Sequence, residues 1–374
     1  MLNEITFFYP KLLTKWGKRP KMFVDRENDT TEIREIEIMT VTIKDIATDA
    51  KVSVSTVSRV LNGSKKVSGD LQKQVMRSIE KYGYKPNVAA RSLITKKTGL
   101  VAVVVADLTN PITAIHLKQI SEVCMEHDKI MICCGYDMDT DKAVAVLDKM
   151  LERAVDGLIF MGIQLREDIL EKLGQFTCPV VLGNQGLPPE IKGYEFRTVT
   201  VDSYHTAMDV TKFLVEEGHK KIAYIGGSRE DYTNGTLRLK GFRDVMEERG
   251  LEIPDSYVIQ GEFSTESGYQ GMRKIYENSR FLPTAVICGS DIIAIGVIRF
   301  LKYVKLKVPD DISVFGFDDS VEDIYDPPLS TVRMYRQGEL LYQALFDEEG
   351  ERNSRTYFPY KLLRRNSTRR LNGN

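Results

Sequence analysis

Between Thr42 and Asn62 the chain reads TIKDIATDAKVSVSTVSRVLN, a run of small hydroxyls, one asparagine and one arginine set at helical spacing. Small hydroxyls allow close approach to phosphates, and an arginine grips guanine O6 and N7 with two hydrogen bonds. Ile43, Ile46, Ala47 and Ala50 recur on one face and predict a first helix. Thr42 stands at its N-cap position, with Asp45 three residues on as a capping-box partner. Ser53 then predicts the cap of a second helix with an inner face of Val57, Val60 and Leu61. Val54, Ser55, Ser58 and Arg59 are left on its outer face. In a helix-turn-helix these outer positions meet base edges in the major groove. The competing reading is an ordinary helical hairpin on some other kind of domain.

A second set of chemistry-bearing residues lies at the ends of apolar runs: Asp107-Leu108-Thr109-Asn110, Asn184-Gln185, Ser290-Asp291 and Asp318-Asp319. The runs themselves (LVAVVVAD, IMICCGY, GLIFMG, PVVLGN, VTVDS, then KIAYIGG, YVIQGEF, TAVICGSD and DISVFGFDD) alternate with helical segments, and the series restarts after Asp202. Strand–helix alternation implies parallel sheets with right-handed crossovers. Two series in succession predict two similar lobes. Ligands in such sheets sit beyond the carboxyl ends of the strands, so a cleft between facing lobes would collect these polar residues.

Positioning the first set requires more helix. Ser68 opens a third amphipathic helix with Leu71, Val75, Ile79 and Tyr82 on one face, stopped by Gly83. In YKPNVAARSL, Pro86 ends one element and Asn87 caps a short helix through Leu93.

The charge is divided in the same way. Residues 39–98 carry twelve Lys/Arg against four Asp/Glu, a net of +8, and residues 1–38 carry seven of each. With −1 overall, residues 99–374 hold −9. A basic head on an acidic body is the electrostatic footprint of a modular nucleic-acid binder. At 374 residues the chain has room for two or three domains, and its 42% apolar content is ample for their cores. No apolar run reaches the ~18 residues that span a membrane, and no secretory h-region of ~7–15 residues follows the start. The five cysteines, Cys124, Cys133, Cys134, Cys178 and Cys288, lie mostly in apolar runs without CxxC spacing. They fit reduced thiols in a cytoplasmic protein.

From Val41 to Leu93 the sequence resembles the DNA-binding head of the LacI/GalR family of bacterial transcription regulators. The match lies in VSVSTVSRVLNG, the KVS start of the third helix and the GYKPNVAARSL hinge. From about Gly99 to Thr368, ADLTNP, RAVDGLIF, GHKKIAYIGG, RLKGF, GEFSTESGY, PDDISVFGFDD and PPLSTVR resemble the family's effector-binding core, itself similar to periplasmic sugar-binding proteins. The resemblance implies an α/β chain: a helix-turn-helix head over 39–85, a hinge helix and linker over 86–98, and a two-lobed periplasmic-binding-protein-like (type I) core of parallel sheets over 99–374. Lobe one is expected at about 99–200 plus a helix near 333–352, lobe two at about 201–328 plus a terminal strand near 356–368. Residues 1–38 fit no part of this pattern. Met39 stands where the family usually begins, so the extension is expected to be a gene-calling artefact, with a genuine accessory arm as the rival; the intact mass of the native protein decides between them.

The resemblance also implies residue roles. Val54, Ser55 and Arg59 match major-groove positions, with Ser53, Thr56 and Asn62 at phosphate; Thr42, Ser58 and the hinge residues Asn87, Ala90 and Arg91 complete the DNA-binding set. Leu93 matches a hinge leucine that wedges into the minor groove and kinks the duplex. For the effector, Asp291 and Asp318 match carboxylates that accept from ligand hydroxyls, Arg238 an arginine reaching into the cleft, and Phe263 an aromatic lying against the ligand. Asn110, Ile112, Thr113 and Gln185 complete that set. Where family members often show NPFF this chain has Asn110-Pro111-Ile112-Thr113, and where an arginine is common it has Gln185. The first departure removes a stacking wall and counts against a bulky hexose-specific pocket; the second weakens the case for an anionic ligand, which Arg238 keeps open, and the reading leans toward a neutral carbohydrate.

The reading is a homodimeric repressor of carbohydrate-utilisation genes, binding a pseudo-palindromic double-stranded operator, with no cofactor and no membrane partner. A leucine-heptad tail is absent, which favours a dimer over a tetramer. Alternatives are a sugar-transport solute-binding protein, or a family member answering to a nucleoside, a sugar phosphate or a protein co-repressor. An enzyme is disfavoured. His116, His127, His205 and His219 form no metal spacing, His219 reads as a helix C-cap, and no nucleophile elbow, phosphate loop or GxGxxG follows a strand. The acids at 310–311, 318–319, 323 and 326 fit no calcium loop.

Overall fold

The computed structural model describes residues 41–61, 67–84, 97–321 and 326–371. The chain divides into two units, Met1–Asn87 and Val88–Asn374. The extension 1–38, most of the hinge segment, and Asn62, Asn87, Ala90, Arg91 and Leu93 among the expected DNA contacts lie outside the described residues.

In the first unit, helices α1 (Ile43–Asp49), α2 (Val54–Leu61) and α3 (Gly69–Tyr82) close on Ile46, Ala47, Ala50, Val57, Val60 and Val75. The Thr42 amide and hydroxyl both donate to Asp45 Oδ2 at 2.8 Å, which starts α1, and Ser53 Oγ accepts from Thr56 N at 3.2 Å, which starts α2. Asp49 fastens the end of α1 to α3, accepting from Ser78 Oγ (2.6 Å), Lys81 Nζ (2.5 Å) and Tyr82 OH (3.1 Å). The Lys81 ammonium and these hydroxyls hold its carboxyl down at about 2. Gly83 ends α3 in the left-handed conformation (φ 58°) that a side chain would resist. The expected α3 face is only half right. Val75 is buried and Ile79 half-buried, whereas Leu71 and Tyr82 are 38% and 42% exposed. Tyr82 uses its hydroxyl to hydrogen-bond Asp49 and leaves much of its ring exposed.

The second unit holds two parallel sheets. The first comprises β1 (Leu100–Val105), β2 (Ile130–Gly135), β3 (Gly157–Met161), β4 (Val180–Gly183), β5 (Arg197–Thr200) and β11 (Arg355–Tyr357), in the order β11-β5-β4-β3-β1-β2. Helices α4 (Pro111–Glu126) and α11 (Gln337–Phe346) cover one face, α5 (Thr140–Glu152) and α6 (Glu167–Gly174) the other. Covered on both faces, β1 and β3 are continuous apolar runs with no polar alternation. The second sheet comprises β6 (Ile222–Gly226), β7 (Val258–Gln260), β8 (Ala285–Cys288) and β9 (Ser313–Phe315) in the order β7-β6-β8-β9. Helices α7 (Ser203–Glu216) and α8 (Arg238–Glu248) pack on one side, α9 (Thr265–Asn278) and α10 (Asp291–Tyr303) on the other. Gly268 and Gly296 bring α9 and α10 into backbone contact: a methyl on Gly296 would run into the Thr265 carbonyl.

Chain crossings between the lobes follow β5, β10 (Thr331–Met334) and β11, and β10 pairs antiparallel with β12 (Tyr360–Leu363). One lobe boundary needs correction. Residues 356–357 were expected with lobe two, yet the strand they belong to is added in parallel to lobe one, Thr356 opposite Val199. Only from Tyr360 does the chain rejoin lobe two. The short strand lacks the apolar run that marks the others, so its partner could not be read from composition.

Candidate functional site

On the first unit, the expected DNA-reading face is the outer side of α2. Val54 (41%), Ser55 and Arg59 are exposed, Thr56 and Ser58 half-buried, while Val57 and Val60 face the core. Ser53 Oγ lies 2.7 Å from Ser55 Oγ and 2.9 Å from Thr56 Oγ1 at the N-terminus of α2. Hydroxyls and amides at a helix N-terminus favour a phosphate. Thr42 sits exposed at the head of α1, its hydroxyl held by Asp45.

On the second unit, a cavity of about 180 Å³ opens between the lobes at the carboxyl ends of the strands. Lobe one contributes Ala106, Asp107, Asn110, Ile112, Thr113, His116, Met138, Met161 and Asn184 to its wall; lobe two contributes Asp231, Asn234, Arg238, Glu262, Phe263, Ser290 and Asp318. Asn110 caps α4, its Oδ1 accepting from Ile112 N at 3.2 Å, and Pro111 follows at the first helical position. From this start Ile112, Thr113 and His116 fall on one face, turned to the cavity. Across it, a turn of π-helix over Tyr232–Leu237 leads into α8. Such a widened turn re-aims side chains at sites of this kind. Its packing requires Gly235, whose added methyl would strike the Ser228 carbonyl.

Arg238 is 2% exposed and lies with its guanidinium carbon 4.2 Å over the Phe317 ring. Nη1 donates to the Gly289 carbonyl, and Nη2 to Asn234 Oδ1 (3.0 Å) and Ser203 Oγ (3.3 Å), leaving Nε without a partner among the described residues. The terminal nitrogens of the expected fork are thus committed to the protein. Asp231 accepts from Asn234 N (2.7 Å) and Nδ2 (3.3 Å); burial nevertheless pushes its carboxyl up to about 6. Asp318 holds a left-handed backbone (φ 104°), unusual for aspartate and a sign of local strain. Burial pushes its carboxyl up to about 6, with the Arg238 charge working the other way. Burial likewise pushes the neighbouring Asp291 well up, and the Asp318 charge adds to it.

Two expected effector residues are displaced from the cavity wall. Asp291 is 1% exposed and each of its oxygens has a partner within the protein: Oδ1 accepts from Thr331 Oγ1 (2.6 Å), Oδ2 from Ser320 N (2.8 Å). It braces the Asp318 turn from behind rather than facing a ligand. Gln185 is 2% exposed, its amide oriented to donate to Gly162 O (3.1 Å) and accept from Gly162 N (3.0 Å), so it pins two lobe-one loops. Asn110, Ile112, Thr113, Arg238, Phe263 and Asp318 do line the cavity. Phe263 presses on Gly227, where any side chain would overlap its ring.

Sequence reasoning missed His116, Asp231 and Asn234. The spacing Ile112–Thr113–His116 carried a usable signal for the first, while the other two emerge only from the π-turn. His219, expected as a helix C-cap, is instead fully buried, with Nδ1 3.0 Å from Thr284 Oγ1 and Nε2 donating to the Arg369 carbonyl at 3.1 Å. A wider groove of about 480 Å³ runs between α4 and the β10–α11 corner. Its charges are largely paired within the protein, as Arg336 with Glu339 and Arg333 with Asp319. Among the described residues no group of three or more His, Cys, Asp or Glu could hold a metal, and no helix is long and apolar enough to cross a membrane.

Comparison with known proteins agrees with this geometry. Residues 42–87 match the model for bacterial regulatory proteins of the lacI family, and residues 211–368 that for a periplasmic binding protein-like domain. Catabolite control protein A of Priestia megaterium is 34% identical over 337 residues, covering 88% of this chain and 100% of that protein. The HTH-type transcriptional repressor PurR of Pasteurella multocida is 32% identical over 338 residues, covering 88% and 99%. Among solved structures, a transcriptional regulator CelR–cellobiose complex superposes with a TM-score of 0.64 at 26% identity, covering 87% of this chain and 99% of that one.

Proposed function

The chain belongs to the lacI family of bacterial regulatory proteins, and from that premise we propose that it is a homodimeric repressor whose operator affinity is set by a small neutral polyhydroxyl ligand in the inter-lobe cleft. That it is a DNA-binding transcriptional regulator follows from the family itself. The observation that carries the DNA half is α2: Val57 and Val60 anchor it, and the opposite face presents Val54, Ser55 and Arg59. We assign base reading to these three and phosphate contact to Ser53 and Thr56, with Thr42 and Ser58 completing the DNA-binding set. The hinge residues Asn87, Ala90, Arg91 and Leu93 keep their expected DNA-binding role, and Asn62 its phosphate role, as part of the same proposal. Two heads on a two-fold axis would match a pseudo-palindromic operator.

For the effector half, the wall charges are informative. Asp107, Asp231, Glu262 and Asp318 face a lining arginine whose terminal nitrogens are already engaged. A phosphate or carboxylate ligand would meet repulsion there, whereas hydroxyls donate readily to carboxylates. The cellobiose in the CelR complex is a compound of that kind. Ligand and operator are coupled only if the ligand binds the two conformations unequally. We read the cleft as binding rather than catalytic and the protein as cytoplasmic; a transport solute-binding protein would have no use for α2.

The test is selection of duplexes from a random library with the full chain, followed by anisotropy titration with and without neutral sugars, sugar phosphates and nucleosides. The reading expects a two-fold symmetric consensus and a neutral sugar that changes its affinity at least about tenfold, the coupling typical of such effectors. Selection without any consensus would overturn the DNA half, and modulation only by anionic compounds would overturn the effector half.

A further inference from the structure

We propose that His116 reads the effector directly, its imidazole donating one hydrogen bond and accepting another from hydroxyls of the ligand. This deepens the sugar-effector reading and rests on it. His116 sits on α4 one turn beyond Ile112, 1% exposed, on the cavity wall. Its Nε2 is fully buried without a hydrogen-bond partner among the described residues. The protein shows how it treats a buried histidine that serves structure: His219 has both nitrogens engaged, by Thr284 and the Arg369 carbonyl. Leaving a buried polar atom unmet is costly, and each such atom calls for an explanation, of which a ligand that completes the bond is one.

His116 is not alone. Asn184 Oδ1 and Arg238 Nε are also buried and unpartnered among the described residues, and both residues line the same cavity. Three elements, α4, the end of β4 and the start of α8, thus bring residues that carry unmet polar atoms to the wall of one space of about 180 Å³. The set mixes polarities: an amide oxygen accepts, a guanidinium N–H donates, and a neutral imidazole does one of each. Burial holds His116 neutral, its pKa down at about 4, so it offers no positive charge to an anion. A hydroxyl, which donates and accepts, satisfies all three. A carboxylate or phosphate has no proton for Asn184 Oδ1.

The test uses the full chain as wild type, His116→Phe and His116→Gln. Thermal shift against D-glucose, D-ribose, cellobiose, maltose, uridine and glucose 6-phosphate picks the probe, and calorimetry gives its Kd for each protein. The proposal expects a neutral probe, about tenfold or more weaker binding by His116→Phe, and substantial recovery in His116→Gln, whose amide restores a donor and an acceptor. It further expects the His116 ring nitrogens, followed by 15N NMR, to shift on adding the probe while those of His219 stay still. Binding to His116→Phe within about twofold of wild type, less than one neutral hydrogen bond is worth, would overturn the inference and leave the sugar reading intact. A probe set in which only glucose 6-phosphate stabilises the wild type, or none does, would remove the sugar reading and this inference with it.

Discussion

Asn234 of lobe two donates from Nδ2 to the backbone carbonyl of Asn184 in lobe one at 3.0 Å, so one side chain ties the lobes together at the cavity. Beside it, Gly186 N donates to Thr233 Oγ1 at 2.9 Å. The same Asn234 accepts from Arg238 and donates to Asp231, which couples the lobe contact to the ligand wall.

Asn234→Ala removes the tie and strands Asp231 and Arg238 as less-satisfied buried groups. The expected cost is about 1–3 kcal/mol of stability, read as a lower melting temperature, together with a larger radius of gyration by small-angle scattering as the lobes part. An unchanged melt and radius would mean that the contact is incidental.

Asp318→Asn tests the carboxylate pair. The carboxyl of Asp318 is pushed up by burial, and its charge helps push Asp291 up. A folded-state pKa above the unfolded value favours the fold at low pH, and that advantage is lost as pH rises through the folded value of about 6. At a pH of about 7.5 the wild type therefore carries a penalty that the amide lacks. Asp318→Asn is expected to be more stable there by on the order of 1 kcal/mol, the gap narrowing as pH falls toward about 4.5. Urea melts at both values check the sign.

Arg59→Ala should cost about 1–3 kcal/mol of operator affinity and relax the preference at one base pair, if the arginine reads a guanine. Anisotropy against the selected duplex and its single-site variants distinguishes this from a uniform loss, which would place Arg59 on phosphate instead.

Gly235→Ala is expected to disrupt the π-turn, because the new methyl meets the Ser228 carbonyl, backbone that cannot swing aside. Sugar binding is predicted to fall about tenfold or more in calorimetry, since the turn aims Asn234 and Arg238 at the wall. The far-ultraviolet circular dichroism should stay near wild type. Retained affinity would show that the wall tolerates an ordinary α-helical turn.

Much of this molecule was legible along the chain. The caps Thr42 and Ser53, the start of a helix after Ser68, the stop at Gly83 and the apolar strand runs are local signals, set by backbone hydrogen bonding and side-chain periodicity within a few residues. The strand-end polar residues pointed to the cleft for a related reason, since a parallel sheet delivers that edge to one side. The expectations that failed depended on partners distant in sequence. Asp291 looks like a ligand carboxylate until Thr331 and Ser320 take both its oxygens. Gln185 looks exposed at a strand end until Gly162 closes on it.

By itself, then, the sequence determined the head, the alternation of strands and helices, and the edge at which polar side chains gather, because those follow from period and capping along the chain. Tertiary structure alone decided which of those side chains remain available. Whether Arg238 spends its fork on Gly289 and Asn234, or His116 Nε2 is left for a ligand, depends on how separate elements meet in three dimensions. A polar group's function depends on which of its hydrogen bonds the fold has already used, and only the packed lobes settle that.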